Sequence, residues 1–405
     1  MFIYAISATG RILISIAGTL QQYQWGVTLA TYVIFITILT YHYLSKIGKC
    51  TLYYKKSSQN VRLLSKIPSI FSKVHYPNPL LCNGHLQTIA YSIQRHWYNS
   101  KFPLGYEHEY ITLKDGGQTS FCWPTVKGVR IPLKDNCPLV IILAGLTGGT
   151  HDVYVYNTMN ECVRNSIGCV LLNHRGCSGN KLTTPFIYCA GYTDDLDTAV
   201  AYMLEKYPNH CLYGVGYSLG ANILCKYLGE KGDKCAIMGA VSFCNPIDLY
   251  EVELHMKRTF MGRIYKKQLG KHQIRKLKEH FSIFKDYFMK NYRTNLEKEV
   301  TKFKDNYDFD TVFTSKIFPY HTAYNYYRKG SCILKLDDIK VPCILVQAYD
   351  DPISSVFPYD EISENSNIIL AVVPCGGHCG LYDGLLPKQW VGAPVVELIK
   401  ALQSH

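Results

Sequence analysis

The sequence predicts an α/β fold with a mostly parallel central sheet, flanking helices and an inserted helical cap, plus an N-terminal transmembrane helix. Three patterns predict this architecture. Short apolar runs alternate with helix-length segments from about residue 105 onward, a basic stretch interrupts them, and an uncharged apolar run precedes them. With 405 residues, of which 47% are hydrophobic and 18% charged, the chain suits one large domain with extensions and not a disordered protein.

An apolar run at residues 26–44 contains no Asp, Glu, Lys or Arg. At ~1.5 Å per residue, a helix of this length spans about the hydrocarbon core of a bilayer. Trp25, Tyr41 and Tyr43 border the run, as aromatic residues do at membrane interfaces. We therefore predict an N-terminal segment at 1–25 and a transmembrane signal-anchor at 26–44.

Basic residues lie mainly on the C-terminal side of this run. Only Arg11 is charged before it, whereas residues 45–66 contain no acid and six basic residues: Lys46, Lys49, Lys55, Lys56, Arg62 and Lys66. The positive-inside rule therefore predicts an intracellular membrane protein whose main domain is cytosolic. The 16 cysteines, none in C-x-x-C spacing, and the lack of an N-x-[ST] sequon agree with this side. We assign residues 45–104 to a basic neck and a further N-terminal segment.

Residues 105–405 carry the pattern of an α/β domain. Short apolar runs separated by helix-length segments predict parallel strands that are joined by crossover helices. The predicted strands are residues 110–113, 138–144, 168–172, 211–215, 237–243, 342–348 and 368–373. We predict one crossover helix at residues 194–205. This stretch begins with several Asp residues, and acids in the first turn of a helix complement its dipole.

A basic stretch separates the fifth of these strands from the sixth. Residues 251–304 contain 15 Lys or Arg and 6 Asp or Glu, and their apolar spacing is helical. We therefore predict a helical cap at about 247–335, which with the neck holds most of the net charge of +12. Contact with anionic lipid headgroups and an ordinary solvated face both fit this charge. Nucleic acid is disfavoured as a partner, because no basic stripe is interleaved with aromatic residues as in known binding modules.

Residues 216–220 read G-Y-S-L-G and match G-x-S-x-G, the sequence of a nucleophile elbow. An apolar strand precedes the motif and a helix-like segment follows it at 219–228. An isolated match arises by chance, but this strand-turn-helix context is the one that the elbow requires. The sequence therefore predicts Ser218 as a nucleophile at a helix N-terminus, where the dipole favours developing negative charge.

A nucleophilic serine needs a base and an orienting acid, which follow it along the chain in this kind of sheet. Asp350 and Asp351 end the sixth predicted strand, and His378 follows the seventh. The carboxyl ends of parallel strands share one edge, so we predict His378 as the base and one of the two aspartates as the acid. Pro352 weakly favours Asp351 by biasing it to an extended backbone, and Asp350 is the alternative. Cys375 and Cys379 flank His378, but their spacing is not that of a zinc site, so no metal is predicted.

The loop after the second predicted strand is rich in glycine and reads A-G-L-T-G-G at residues 144–149. An oxyanion hole takes one backbone N–H from such a loop and one from the residue after the nucleophile. We therefore predict the N–H groups of Leu146 and Leu219 as its donors. Phosphate binding is disfavoured, because the loop has neither G-K-[ST] nor G-x-G-x-x-G spacing.

Residues 78–89, N-P-L-L-C-N-G-H-L-Q-T-I, resemble the N-P-x-L-x-x-G-H-L-Q-T segment of one branch of the α/β-hydrolase fold. That branch contains the animal membrane-anchored α/β-hydrolase-domain-containing proteins one to three and bacterial esterase relatives. The resemblance covers roughly residues 70–400 and is specific as a set of motifs. Its other motifs are Gly145-Leu146-Thr147-Gly148, Asn173-His174-Arg175-Gly176, Tyr192-Thr193-Asp194-Asp195-Leu196, residues 216–222, Asp350-Asp351-Pro352 and Gly376-Gly377-His378.

This resemblance implies hydrolysis of lipid esters such as phospholipids or acylglycerols, without a cofactor, by a triad of Ser218, Asp351 and His378. It also implies a signal anchor, although members are commonly described as type II, which is opposite to the orientation that the flanking charges predict. Lipid acyl transfer and non-catalytic lipid binding on the same fold are the alternatives. The H-x-x-x-x-D spacing associated with acyl transfer is met only by His378 and Asp383, and His378 is already the predicted base. Ala144 stands where many hydrolases carry His.

Overall fold

The computed structural model describes residues 2–97, 104–354 and 356–403. They form two units, which divide between Ile47 and Gly48. The first contains one long helix, α1 (Phe2–Leu44). Within it the 24 residues Gln21–Leu44 are exposed and apolar, so this segment is a candidate membrane span by length and composition. The stretch predicted as a separate N-terminal segment is part of the same helix, since no proline interrupts it.

The second unit is built around a central sheet. Its strands are β1 (Thr51–Tyr53), β2 (Leu104–Thr112), β3 (Gln118–Val126), β4 (Val129–Arg130), β5 (Leu139–Leu143), β6 (Gly168–Leu172), β7 (Leu212–Tyr217), β8 (Ile237–Phe243), β9 (Cys343–Ala348), β10 (Ile368–Val373), β11 (Tyr382–Asp383) and β12 (Lys388–Gln389). Its α-helices are α2 (Ser58–Ser65), α3 (Pro68–Phe71), α4 (Gly84–Trp97), α5 (Val153–Arg164), α6 (Asp194–Lys206), α7 (Leu219–Lys231), α8 (Leu249–Arg258), α9 (Phe260–Glu279), α10 (Phe281–Tyr292), α11 (Leu296–Val300), α12 (Asn306–Phe309), α13 (Ser315–Ile317), α14 (Ala323–Gly330), α15 (Tyr359–Glu364) and α16 (Gly392–Gln403).

Within the described part of the chain, ten strands form one sheet in the order β1-β10-β9-β8-β7-β5-β6-β3-β2, with β4 paired to β3. The six strands from β6 through β5, β7, β8 and β9 to β10 are parallel, whereas β1, β2 and β3 are antiparallel to their neighbours. This confirms the predicted mostly parallel sheet. The early strand predicted at residues 110–113 is the end of the longer β2, which pairs with β3 as a hairpin.

The parallel strands are buried on both faces. Every residue of β5, β6, β9 and β10 is buried, which accounts for their apolar sequences, in which Gln347 of β9 is the one polar side chain. One apolar cluster lies between the sheet and α6, α7 and the helices that follow β8. The other lies on the opposite face, where α2, α3, α5 and α16 cover the sheet. The carboxyl ends of the parallel strands remain as the edge at which side chains can meet.

The segment between β8 and β9 is helical, from α8 to α14, and occupies the range assigned to the cap. Its interior is aromatic. Phe288 stacks on Phe313 at 5.4 Å between ring centroids, and Phe284 meets the same ring edge-on at 4.8 Å. The apolar spacing in this part of the sequence therefore builds a core of the cap itself, in which these three rings are fully buried.

The stretch assigned to a basic neck is folded onto the sheet from Gly48 onward. β1 pairs antiparallel with β10, with Thr51 opposite Val372. Leu64 and Ile67 are fully buried, whereas the neighbouring Arg62 is exposed. Arg62 thus lies on the outer side of this segment, and the apolar residues anchor the segment to the domain.

Candidate active site

Ser218 lies at the sharp turn between β7 and α7, with φ 51° and ψ −120°. This left-handed backbone is strained for a residue with a side chain and is typical of a nucleophile elbow. The turn requires glycine on both sides. A Cβ atom on Gly216 would lie 2.5 Å from Ala221 Cα, and one on Gly220 would lie 2.4 Å from a backbone carbonyl oxygen. The sequence G-x-S-x-G is therefore what permits the close approach of strand, turn and helix.

His378 lies on the loop after β10 and contacts Ser218. Ser218 Oγ is 2.7 Å from His378 Nε2. On the other side of the ring, His378 Nδ1 is 3.0 Å from Asp351 Oδ2. The imidazole is 11% exposed and the Asp351 carboxylate is fully buried, so little solvent separates the three groups. This chain of contacts holds Nε2 toward the serine when Nδ1 carries its proton.

The two adjacent carboxylates after β9 have different partners. The second oxygen of Asp351 accepts from the N–H groups of Ile353 at 2.8 Å and Ser354 at 2.9 Å, which orients the carboxylate toward the ring. Asp350 Oδ1 instead accepts from the N–H of Gly376 at 2.9 Å. Asp350 therefore stabilises the loop that precedes the histidine, and it is Asp351 that the fold brings to the imidazole.

The loop after β5 presents Leu146 between two engaged amides. The N–H of Gly145 donates to Tyr154 Oη at 3.0 Å. The N–H of Thr147 donates to Tyr188 Oη at 2.8 Å. Among the residues that the structure describes, the N–H of Leu146 has no acceptor. The backbone is thus held by hydrogen bonds on both sides of Leu146, whose own N–H is unused.

The same loop packs against the first turn of α7. The carbonyl of Ala144 lies so close to Gly220 that no side chain fits there. The N–H of Leu219, at the start of α7, also has no acceptor within the described ranges. Unused amides from Leu146 and Leu219 therefore belong to the two segments that meet beside Ser218. These are the two amides that the sequence predicts as donors to an oxyanion.

His174, after β6, contacts the loop after β5 and fixes its position. Its Nε2 donates to the carbonyl of Ala144 at 2.8 Å, and its ring stacks on Tyr188 at 4.4 Å. Burial lowers the pKa of His174 to about 4, which outweighs the opposite effect of the bond to Ala144. The ring is therefore neutral at pH 7. In the sequence, Asn173-His174-Arg175-Gly176 is only one of the motifs that carry the resemblance. In the structure, the contacts of His174 with Ala144 and Tyr188 give this motif a physical role.

Helix α4, which carries the G-H-L-Q-T motif, supports both sides of the site. Thr88 Oγ1 accepts from the backbone N–H of His378 at 2.9 Å. Seven residues later, Arg95 donates to the carbonyl of Thr147 at 2.8 Å. At the start of the helix, Gly84 approaches the carbonyl of Asp350 so closely that a Cβ atom would lie 1.8 Å from it. Sequence reasoning missed Thr88 and Arg95, because each acts on a segment far away in the chain.

Asp383, the partner of His378 in H-x-x-x-x-D spacing, is engaged elsewhere. It pairs with Lys73 at 2.7 Å and lies 3.5 Å from His75, and it accepts from the N–H of Tyr76 at 2.6 Å. Burial alone would raise the pKa of Asp383, but the bonds from His75 and Lys73 outweigh it and lower the pKa to about 2. Asp383 therefore joins residues 73–76 to β11.

The chain is similar to known proteins over most of its length. The family model described as alpha/beta hydrolase fold matches residues 138–385. A monoacylglycerol lipase of Saccharomyces cerevisiae is 30% identical and covers 80% of each chain. Phospholipase ABHD3 of Homo sapiens is 26% identical, over 94% of this chain and 91% of its own. The solved Pyrococcus furiosus esterase Pf2001 is 17% identical over 75% of this chain and 93% of its own, with a TM-score of 0.47. The family model and the two relatives confirm the resemblance that the motifs indicate, and the chain belongs to the α/β-hydrolase family.

Proposed function

We propose that this protein is a membrane-bound serine hydrolase that cleaves carboxylic esters of lipids through an acyl-enzyme. The observation that carries the proposal is the pair of contacts made by His378, 2.7 Å to Ser218 and 3.0 Å to Asp351, at the carboxyl ends of neighbouring strands. The names of the relatives, a monoacylglycerol lipase and a phospholipase, support a lipid ester as the substrate class.

In the proposed mechanism, His378 Nε2 takes the proton of Ser218 as Oγ attacks the ester carbonyl carbon. The carbonyl oxygen becomes an anion, which the N–H groups of Leu146 and Leu219 bind. Asp351 stabilises the imidazolium, which then gives its proton to the leaving alcohol. A water molecule, deprotonated by His378, attacks the acyl-enzyme and releases the fatty acid and free Ser218. Each step uses only groups of this chain, the ester and water.

The fixed surroundings of Leu146 favour this mechanism. Because Tyr154, Tyr188, His174 and Arg95 already bind the backbone of its loop, the donor needs little reorganisation when charge develops. Preorganised donors of this kind typically lower an acyl-transfer barrier by about 3 kcal/mol each. The acyltransferase alternative draws no support from H-x-x-x-x-D, since the contacts of Asp383 are with Lys73, His75 and Tyr76.

The test of this function is release of fatty acid by the full-length protein in neutral detergent micelles. We expect hydrolysis of a monoacylglycerol or of a simple long-chain ester, measured by mass spectrometry of the free acid against protein-free micelles. Added lysolipid should receive little of the acyl group if water is the main acceptor. Transfer of most of the acyl group to lysolipid would instead establish the acyltransferase alternative.

We further propose that α1 anchors the protein and that the second unit lies in the cytosol. On α9, Arg263, Lys267, Lys271 and Arg275 recur every four residues and are all exposed, which forms one basic stripe. Such a stripe suits the anionic cytosolic leaflet better than the opposite one. In sealed microsomes, external protease should degrade the second unit. Protection until detergent is added would place it in the lumen and refute this orientation.

A further inference from the structure

The cavity that contains Ser218 and His378 has two chemically different parts. Its volume is about 100 Å³. Apolar side chains form one part: Leu249, Val252, Met256, Leu269 and Ile353. Polar side chains of the cap form the other: Glu253, Gln273, Asn306 and Asp310. An amphiphilic ester offers matching parts, an acyl chain and a polar alcohol, on either side of the bond that is cleaved.

Three oxygens in the polar part are buried without a hydrogen-bond partner among the residues described. They are Glu253 Oε2, Gln273 Oε1 and Asn306 Oδ1. Glu253 and Asn306 are 6% and 9% exposed, so neither side chain can turn to bulk water. A buried acceptor that lacks a donor is destabilising, because it has lost its hydrogen bonds to water. Three such groups around one cavity need donors that the described chain does not supply, and a ligand in the cavity can supply them.

The other contacts of these side chains fix which atoms are unused. Gln273 Nε2 faces Asp310 Oδ1 at 3.4 Å, so its amide oxygen points away from that carboxylate. Asn306 Nδ2 faces Tyr327 Oη, also at 3.4 Å. The first oxygen of Glu253 is paired with Lys266. In the two amides the donor end is already committed and the acceptor end is left. In Glu253 one carboxylate oxygen accepts from Lys266 and the other is left.

The charge around this part of the cavity disfavours an anion. No Lys or Arg of the described ranges lines it. Lys266, the nearest named cation, is shared between Glu253 and Asp305, the latter at 3.3 Å. Asp310 accepts from Thr314 at 2.6 Å and Tyr327 at 2.9 Å, and it begins a single π-helical turn, a feature frequent at functional sites. A phosphate would meet acceptors and carboxylates here without a cation to neutralise it.

We propose that Glu253, Gln273 and Asn306 form a subsite for hydroxyl groups on the alcohol part of the ester. This inference rests on the proposed ester hydrolysis and narrows it to glycerol esters that carry free hydroxyls. Hydroxyl groups carry no charge, and the two free hydroxyls of a monoacylglycerol can donate to two of the three oxygens. A quaternary ammonium could contact Tyr326, Tyr327 and the carboxylates, but it has no N–H or O–H and would leave the three oxygens unmatched.

The experiment compares three substrates with the same acyl chain: a monoacylglycerol, the ethyl ester and lysophosphatidylcholine. The full-length protein in neutral micelles should show a kcat/KM for the monoacylglycerol at least about tenfold above that for the ethyl ester, since one or two good hydrogen bonds supply this factor. Lysophosphatidylcholine should be the poorest substrate. Equal kcat/KM for the monoacylglycerol and ethyl ester, or a preference for lysophosphatidylcholine, would overturn the subsite.

Two variants and one matched control assign the effect to these residues. Gln273→Met and Asn306→Leu keep the approximate size of each side chain but remove its acceptor. Each should lower the monoacylglycerol-to-ethyl ester ratio about fivefold or more, whereas Gln268→Met, at an exposed position of the same helix, should leave the ratio as it is. A ratio unchanged in both variants would refute the assignment. Absence of hydrolysis with all three esters would instead refute the proposed function itself.

Discussion

Replacement of Ser218 by alanine is expected to lower kcat for ester hydrolysis by roughly 10⁴- to 10⁶-fold and to abolish covalent labelling by a fluorophosphonate probe. The reason is that Oγ is the only atom of that residue that can bond to the carbonyl carbon or to phosphorus. Alanine retains the φ of 51° and the tight turn between β7 and α7. We therefore expect the variant to fold, with its melting temperature close to that of the original protein.

The measurement is gel fluorescence after probe labelling, followed by fatty-acid release. Ser363→Ala serves as the control, since that hydroxyl is exposed and donates only to a neighbouring carbonyl. Labelling of the control at the original level shows that the probe does not modify serines at random. Labelling of Ser218→Ala at that same level would remove Ser218 from the mechanism and with it the acyl-enzyme.

The parallel strands are the part of the fold that sequence reasoning locates best. The predicted ranges 168–172, 237–243 and 368–373 coincide with β6, β8 and β10. Strands covered by helices on both faces are nearly continuous apolar runs, and they end where glycine, proline or a polar loop begins. The carboxyl ends of these strands can therefore be predicted from the sequence, and so can the positions of the residues that follow them.

The antiparallel strands β1 and β3 cannot be predicted from the sequence in the same way. β1 has only three residues, and its pairing with β10 uses backbone groups that every residue possesses. β3 contains Pro124, a residue that normally argues against a strand inside a sheet. Neither gives a strong side-chain signal, so β1 lies within the predicted neck and β3 matches no predicted strand.

The candidate site divides along a similar line. The positions of Ser218, Asp351 and His378 follow from strand ends, and the fold brings these three side chains together. Their supports do not follow from local patterns, because Thr88 reaches His378 across 290 residues of chain. The predicted oxyanion donors, the N–H groups of Leu146 and Leu219, are backbone amides, which every residue type except proline possesses. Sequence therefore predicts the reacting side chains and leaves the supporting contacts to the structure.

The second large effect is expected at the two adjacent carboxylates. Asp351→Asn should lower kcat by roughly 10³- to 10⁴-fold, because an amide facing His378 favours the wrong tautomer and cannot stabilise the imidazolium. Asp350→Asn should lower kcat by about tenfold at most. Its role is to accept from the N–H of Gly376, and an asparagine oxygen can accept the same hydrogen bond.

Measurement of kcat and KM for both variants on one ester distinguishes the two carboxylates, with probe labelling rates as a second readout. KM should change little in Asp351→Asn, because this carboxylate is fully buried behind the imidazole and does not contact substrate. A merely structural role would lower the melting temperature and raise KM in parallel. If Asp350→Asn lost as much kcat as Asp351→Asn, the orienting acid would have to be reassigned, since the 3.0 Å contact between Asp351 and His378 would then carry no catalytic weight.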